Sequence, residues 1–554
     1  MIKIDEESKI KCCGCGACAQ VCPQQCITMK ADQEGFAYPE VDAEKCIGCN
    51  LCEKVCPIIS KKDSYKEDDQ NIPKSIGGWH KDDEIRYESS SGGAFSLIAM
   101  HIIKQGGIVY GAAMDENLNT THIGVDTIEE LATLRGSKYV QSDINDTYTE
   151  IEKYLKQGRK VLFTGTPCQA AGLASFLRKK YENLYIMDFI CHGVPSPKVF
   201  QSYIEYVQQK CNSSIISFKF RLKDKQWSPS GLQLGTGITT STGKFIRNYP
   251  AFKDSFMNGF LDDVYLRPSC YDCEFKCLPK YYADITIADF WGVDKVDKEL
   301  LDKKGTSLLL LHSSHGEELF DAVKDNFHYK ECDFKASIRR NKSLIKSVSY
   351  NPRREKFFHD YQNKPFPKVM LKYMTPFSWG IHKASKIAWA MIEKIVKTVM
   401  SPILHIFNIR WTDKQWESFL QFIKFAMVGV TNTLVSYLIN IMMLMTLRNF
   451  NLSFDYMIAN VTAFLLSVLW SYYWNSKKVF TLSKGEKRSK GKTLLKTYVS
   501  YAFTGIVLNN VLSTIWIQVL GISKYLSPIL NLPFSMPVNF LMNKLWAYSK
   551  KKSK

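Results

Sequence analysis

Four stretches toward the C-terminal end, 425–447, 456–476, 497–523 and 525–543, contain no Asp, Glu, Lys or Arg. Each matches the roughly 20 residues that carry a helix across a bilayer's hydrocarbon core, so the pattern predicts four membrane-spanning helices. Only Lys524 separates the last two, which read as a hairpin turning at GISKYLS. Just upstream, HKASKIAWAMIEKIVKTVM (382–400) places Ile387, Met391, Ile395 and Val399 close to helical spacing, with Lys383, Lys386, Lys394 and Lys397 on other faces. A basic amphipathic helix of this kind lies on an anionic membrane surface or packs on a neighbouring domain.

From about 76 to 360 the pattern changes to short apolar runs alternating with helical stretches. GGIVYGAAM, KVLFTGT, LYIMDFICHG and ADITIADFWG read as strands; SGGAFSLIAMHIIK and PCQAAGLASFLRKK read as helices. This alternation predicts an α/β domain. The polar, proline-bearing stretch KKDSYKEDDQNIPKS (61–75) reads as a linker.

The chain has 554 residues and a formal net charge of +19. No nucleic-acid-binding module stands out, and the placement of the charge points to a membrane instead. The connection 476–496 carries eight Lys or Arg and one Glu, the other two connections hold only Arg448 and Lys524, and the chain ends in KKKSK. The positive-inside rule then places that loop and both termini in the cytoplasm, as an even number of spans requires. Trp470, Tyr472, Tyr473, Trp474, Trp546 and Tyr548 fall near those cytoplasmic ends, where aromatic belts form. The spans also carry asparagines, among them Asn432, Asn440, Asn460, Asn475, Asn509, Asn510, Asn531, Asn539 and Asn543. These serve as interhelical hydrogen-bonding groups or line a place for a polar headgroup. Pro528, Pro533 and Pro537 bend the last span and free backbone carbonyls.

The 17 cysteines carry the strongest chemical signal. MIKIDEESKI shows no apolar secretory segment, so a reducing compartment is expected and a disulfide framework is not. Cys12, Cys15, Cys18 and Cys22 follow C-x2-C-x2-C-x3-C and precede Pro23; Cys46, Cys49, Cys52 and Cys56 repeat the spacing before Pro57. Zinc sites use separated C-x2-C pairs instead. Residues 1–60 resemble the bacterial two-cluster ferredoxins along their length. In those proteins the cysteine before the proline ligates the other cluster. The resemblance therefore implies one 4Fe-4S cluster on Cys12, Cys15, Cys18 and Cys56, and a second on Cys46, Cys49, Cys52 and Cys22. Cys13 and Cys26 lie outside the pattern.

A further set, Cys270, Cys273 and Cys277 in LRPSCYDCEFKC, cannot close a four-thiolate site alone. Cys168 and Cys191 are candidates for the fourth ligand, and the site reads as a third 4Fe-4S cluster or as structural zinc. Small residues before the two helices, Ser89–Gly93 and Gly165–Thr166, present backbone N–H groups suited to a phosphate, though each is also an ordinary cap.

SSSGGAFS, LRGSKYVQS, TGTPCQ, DFICHGVPSP, LRPSCYDCEFKC, ADITIADFWG and GTSLLLL occur in this order over 75–360. They resemble the family of beta subunits of coenzyme F-420 hydrogenases and dehydrogenases, whose members bind FAD and an iron–sulfur cluster. The resemblance implies FAD near Ser91, Gly92 and Gly93, near Arg135, Gly136, Ser137 and Lys138, and near Thr164, Gly165 and Thr166. It nominates Lys138 beside the flavin ring or substrate, and His192 as a proton shuttle or a structural hydrogen-bonding group. Ala288 departs from the glycine usual before the Asp of this family's GDFWG segment, which weakens the case for a deazaflavin substrate.

FIKFAMVGVTNTLVSYLIN, WSYYWNSKKVF and PFSMPVNFLMNKLWAY resemble the GtrA-like family of four-span proteins linked to polyprenyl-phosphate sugars, over about 419–550. That resemblance puts Asn475, Asn539 and Lys544 at headgroup level. The expected architecture is thus a small α+β ferredoxin domain (1–60), a linker (61–75), an α/β flavin-binding domain (76–360), a basic amphipathic linker (361–418) and an all-α four-helix transmembrane domain (419–550). The expected function is a membrane-tethered FAD and iron–sulfur oxidoreductase in the inner membrane, exchanging electrons with a soluble ferredoxin or another donor. Its organic substrate would belong to envelope-polysaccharide or lipid-linked sugar metabolism. The alternatives are a lipid-linked sugar translocation component with an accessory redox part, or an electron relay to quinone.

Overall fold

The apolar runs of the middle region form the centre of an eight-stranded sheet in the computed structural model. The structure describes residues 6–60, 72–223, 227–229, 234–278, 282–375, 396, 398, 400–402, 411–447, 455–480, 488–522 and 526–549. The chain divides into two units, Met1–Ser385 and Lys386–Lys554.

In the first unit the strands of that sheet are β3 (Lys74–His80), β4 (Ile108–Met114), β5 (Thr120–Val125), β6 (Val161–Gly165), β7 (Leu184–Phe189), β11 (Ile285–Asp289), β12 (Ser307–Leu311) and β13 (Phe327–Cys332). They run in the order β13-β3-β12-β11-β7-β6-β4-β5. The β4–β6, β6–β7 and β7–β11 pairs are parallel, and β12 inserts antiparallel between β11 and β3. Strands buried on both faces carry unbroken apolar sequence rather than alternation, and every residue of β12, SLLLL, is buried. Because β3, β4, β6, β7 and β11 point the same way, the loops after them gather along one edge. In open α/β sheets ligands bind at that carboxyl edge.

Helices cover both faces. Ala94–Lys104 packs with Ile76, Leu162, Leu309 and Leu311 on one side; Thr147–Lys156 and Pro167–Leu177 pack with Val161, Phe163 and Ile186 on the other. A second, three-stranded antiparallel sheet of β8 (Ile215–Leu222), β9 (Gly235–Thr240) and β10 (Phe245–Asn248) joins the helices Pro197–Cys211, Arg354–Asn363 and Phe366–Tyr373 around an aromatic core. That core includes Phe200, Phe218, Phe220, Phe256, Phe357 and Tyr373, so buried packing continues past residue 360.

The N-terminal segment is seated on this body. Its hairpin pairs β1 (Ile27–Ala31) with β2 (Ala37–Val41), and Phe36 and Tyr38 are buried in the aromatic core. Cys13, Cys15, Ala17 and Val55 are buried against the helices over β6. Gln20 Oε1 accepts from the backbone N–H of Tyr148 (2.8 Å) and Thr149 (3.2 Å), supplying a cap to the helix Thr147–Lys156. Arg354 forks onto the Glu34 carboxylate and also donates to Leu266 O (3.0 Å).

Among the described residues from 411 on, the second unit is built of the helical segments Asp413–Leu447; Asp455–Trp474 continuing to Val479; Lys490–Ala502 continuing to Val519; and Ser527–Met542 continuing to Ala547. Gln415–Leu447 and Lys490–Val519 are long and apolar enough to cross a membrane. Ala459, Ala463, Ser467, Ser471 and Asn475 form a buried stripe every fourth residue, the small-residue seam by which helices approach closely in lipid. Asn440 donates to Asn460 across two helices (2.7 Å), and Asn531 meets Trp516 (3.0 Å) and Ser513 (2.9 Å). Most of the basic stretch 382–400, the loop 481–487 and the KKKSK end lie outside the described residues.

Candidate functional site

The N-terminal cysteine runs fold so that their thiols fall into two groups. Cys22, Cys46, Cys49 and Cys52 line one cavity, walled by Pro23, Ile27, Val41, Ile47 and Leu51. Three of these cysteines come from the second run and one from the first, as crossed ligation requires. Cys26 lines the same cavity, its sulfur 3.3 Å from that of Cys22. Ile47 and Cys49 are exposed there, so this site faces solvent.

The other site is internal. Burial pushes the Cys18 thiol up to about 12, with further contributions from the neighbouring Cys12, Cys56 and Cys52 thiols. Cys15 belongs to the same loop and lies against Gly172 of the helix Pro167–Leu177: a Cβ built there would meet Cys15 Cβ at 2.8 Å and its sulfur at 3.1 Å. Gly172→Ala is therefore expected to push the cluster loop off its seat. The overpacking should cost about 1–3 kcal/mol, visible as a lower Tm and as iron lost from the inner site alone.

A third group of thiols gathers at the carboxyl edge of the sheet. Cys168 follows β6, Cys191 follows β7, and Cys270 and Cys273 come from the loop before β11. Burial comes first among the causes that raise Cys191 and Cys270, and the charges that follow include Cys270, Cys168 and Cys273 on Cys191, and Cys168 and Cys273 on Cys270. The Val194 N–H donates to Cys270 Sγ (3.4 Å). Cys277 is exposed, and its charge acts on the buried Tyr282 together with Cys168 and Cys273. Both candidates for a fourth ligand, Cys168 and Cys191, thus stand beside Cys270 and Cys273. Among the described residues no three His, Cys, Asp or Glu side chains close around a single ion.

Cys13, outside the sequence pattern, sits between the inner and third groups: Cys15 and Cys168 are the neighbours that act most on its buried thiol, and all three belong to one packed cluster. Cys168 in turn lies 3.1 Å from Thr166 Oγ1.

Thr166 caps the helix Pro167–Leu177 in a capping box with Gln169. Ser90 Oγ accepts from Ser137 N (2.8 Å) and meets Ser137 Oγ (3.0 Å), tying SSSGG to RGSK. Ser91 Oγ donates to Thr306 O (2.7 Å), and the Gly92 N–H donates to Ser307 Oγ (2.9 Å). A Cβ on Gly92 would lie 2.5 Å from Gly78 O, so only glycine fits there. Thr164 accepts through its carbonyl from the ring of the buried His122 (3.0 Å), which burial lowers to about 4 and so keeps neutral.

Three cations stand among these segments with no carboxylate hydrogen-bonding partner among the described residues. Lys138 donates to Thr133 O and Arg135 O (both 2.9 Å), and burial lowers it to about 7. Lys223, on the strand extension after β8, donates to Arg86 O, Ser91 O and Lys304 O and is likewise lowered to about 7, burial first and then the nearby Arg86 and Arg221. Arg135 donates to Ser96 Oγ (3.1 Å). Cations held by carbonyls and a hydroxyl, without a carboxylate, make a place for an anion.

His192 Nε2 lies 2.7 Å from Asp263 Oδ1, with Phe260 at its edge. Asp289, at the end of β11, takes a two-pronged contact from Arg221 (2.5 and 2.9 Å). Neither Lys223 nor Cys13 sits in a motif, and only their surroundings reveal them.

Comparison with known proteins assigns the segments separately. Residues 11–58 match the 4Fe-4S dicluster domain. Residues 75–147 and 158–336 match the N-terminal and C-terminal parts of the coenzyme F420 hydrogenase/dehydrogenase beta subunit. Residues 424–548 match the GtrA/DPMS transmembrane domain. A curated relative, a subunit of the F(420)H(2) dehydrogenase of Methanosarcina mazei, is 25% identical over 339 residues, covering 58% of this chain and 84% of the relative. A solved structure, the F420-reducing [NiFe] hydrogenase complex of Methanosarcina barkeri, aligns at 18% identity and a TM-score of 0.35, over 50% of this chain and 90% of that one.

Proposed function

We propose that this chain, an iron–sulfur oxidoreductase of the F420 hydrogenase/dehydrogenase beta-subunit type joined to a GtrA-like membrane domain, is a flavin-dependent enzyme working on a substrate of envelope-polysaccharide or lipid-linked sugar metabolism. One observation carries the redox reading: Cys13 is packed with both Cys15 and Cys168, bringing the inner thiol group next to the third at the carboxyl edge of the sheet. Bound clusters would move single electrons, and FAD would convert them to two-electron hydride chemistry.

The chain's own residues divide the work. Cys22, Cys46, Cys49 and Cys52 form the solvent-facing port, suited to a soluble ferredoxin or similar donor. Cys12, Cys15, Cys18 and Cys56 form the inner site. Cys168, Cys191, Cys270 and Cys273 form the third, with Cys277 at its exposed margin. Lys138, Arg135 and Lys223 supply charge for the FAD pyrophosphate, around the frame built by Ser91, Gly92, Gly93, Gly136, Ser137, Thr164, Gly165 and Thr166. His192, held by Asp263, is placed to orient the loop carrying Cys191. The membrane unit keeps this chemistry at the inner membrane, with four spans and cytoplasmic termini as the loop charges require.

Full-length protein purified without oxygen should contain three 4Fe-4S clusters and one FAD, and reduced ferredoxin should bleach the flavin. Absence of flavin from protein with a full iron complement sinks this reading. The match of residues 424–548 to the GtrA/DPMS domain favours a second reading, translocation of a lipid-linked sugar. A full-length variant lacking cluster ligands that still supports complete glycolipid modification would favour that second reading.

A further inference from the structure

Arg267 is fully buried, the bulkiest such side chain among the described residues. Its backbone belongs to the loop of the third thiol group: its N–H donates to Val194 O and its carbonyl accepts from Cys270 N. Its side chain crosses to the inner site. Nε donates to Cys12 O (2.8 Å), Nη1 to Gln141 Oε1 (3.0 Å) and Nη2 to Ala37 O (2.9 Å), with Cys12 Sγ at 3.8 Å. The guanidinium lies over Tyr38, 4.4 Å from the ring centre.

Two features set this arginine apart. A buried guanidinium is costly unless an opposite charge lies close, yet among the described residues no ion pair includes it. Arg86, Arg221 and Arg354, also buried, each have an Asp or Glu. The groups whose charge acts favourably on Arg267 are Cys12, Tyr38, Cys13 and Cys270. Second, the cysteine loop is shaped around it. Gly14 has φ +69°, and a Cβ there would lie 2.7–2.9 Å from the guanidinium atoms.

We propose that Arg267 is a positioning residue whose fixed charge is the counter-charge of the cluster on Cys12, Cys15, Cys18 and Cys56, raising that cluster's reduction potential relative to the outer one. This rests on the iron–sulfur reading above. Reduction adds one electron to the cluster and its thiolates and breaks no bond. In a low-dielectric interior a cation this close favours the more negative state. Among the described residues none lining the outer cavity is a cation, and the nearby Lys45 is exposed and paired with Asp42, so the two potentials are set apart and the electron is held on the side of Cys168 and Cys270.

The test compares full-length wild type with Arg267→Lys, which keeps the charge, and Arg267→Gln, which removes it. Each is titrated electrochemically under EPR with total iron measured. The Gln variant should show the cluster on Cys12, Cys15, Cys18 and Cys56 reduced at a more negative potential and the one on Cys22, Cys46, Cys49 and Cys52 unmoved, with the Lys variant close to wild type. Equal potentials in all three proteins, or parallel shifts of the inner and outer clusters, overturn the proposal. If the Gln variant fails to hold iron, retention by Lys supports the charge role and loss from both overturns it. Wild type without cluster signals would instead refute the iron–sulfur reading, a result distinct from any difference among variants.

Discussion

Replacing Cys22 and Cys26 together by alanine is expected to empty the site built by Cys46, Cys49 and Cys52, while the site of Cys12, Cys15 and Cys18 stays loaded. Five thiols line the outer cavity; of the four proposed as ligands, Cys22 is the one drawn from the other run. Cys26 must be removed with it because its sulfur lies 3.3 Å away and can take its place. About four irons should be lost, one cubane's content. Alkylation of the folded, loaded protein locates the loss. Cys46, Cys49 and Cys52 should become reactive, and Cys12, Cys15, Cys18 and Cys56 should stay protected. Cys56→Ala should give the converse pattern, exposing Cys12, Cys15 and Cys18. Reactivity confined to the mutated run would mean that each run closes on itself, and crossed ligation would be wrong.

Much of this organisation is legible in the sequence because the physics there is local. β4, β6, β7 and β11 are near-continuous apolar runs, as strands covered on both faces must be. Thr166 and Pro167 mark a helix start by cap chemistry alone. The cysteine spacing follows from how a short loop reaches a cluster. What escapes is what long-range packing decides. β8, β9 and β10 carry no decisive period, and Phe357, Phe358, Val369, Met370 and Tyr373 complete a core whose other half lies some 150 residues earlier. Arg267 and Lys223 look in the sequence like two ordinary basic residues of a basic chain. Only the fold buries the first without a carboxylate and leaves the second bonded to three carbonyls. Cys13 reads as an interruption of a motif until Cys168 is brought against it from 155 positions away. The same local physics explains why the cap residues do double duty. The N–H of Gly92, which looks free to receive a phosphate, is already engaged by Ser307, so charge for an anion must come from side chains.

Flavin affinity should therefore fall as pH rises above about 7. Burial lowers both Lys138 and Lys223 to about 7 from an ordinary 10.5. His122, the titrating group beside Lys138, stays neutral throughout this range, and the charges facing Lys223 are Arg86, Arg221, Asp289 and Asp302. Between the folded and unfolded values the unfolded chain binds more protons, so the flavin-free protein gains stability as pH rises through that window. A bound pyrophosphate favours the charged ammonium and raises both values, so binding takes up protons where the free lysines have lost them. The dissociation constant should then rise with pH by up to about tenfold per unit for each lysine involved. Replacing both by methionine keeps the apolar stems, removes the charges and should flatten the profile, with affinity at pH 7 falling by at least tenfold. Fluorescence titration of FAD into flavin-stripped protein between pH 6.5 and 9 reads both effects. A flat wild-type profile, or a slope that survives in the double variant, would place the pyrophosphate away from these lysines. A steep slope lost only in Lys223→Met would move it from the RGSK loop to the face between Ser91 and Lys304.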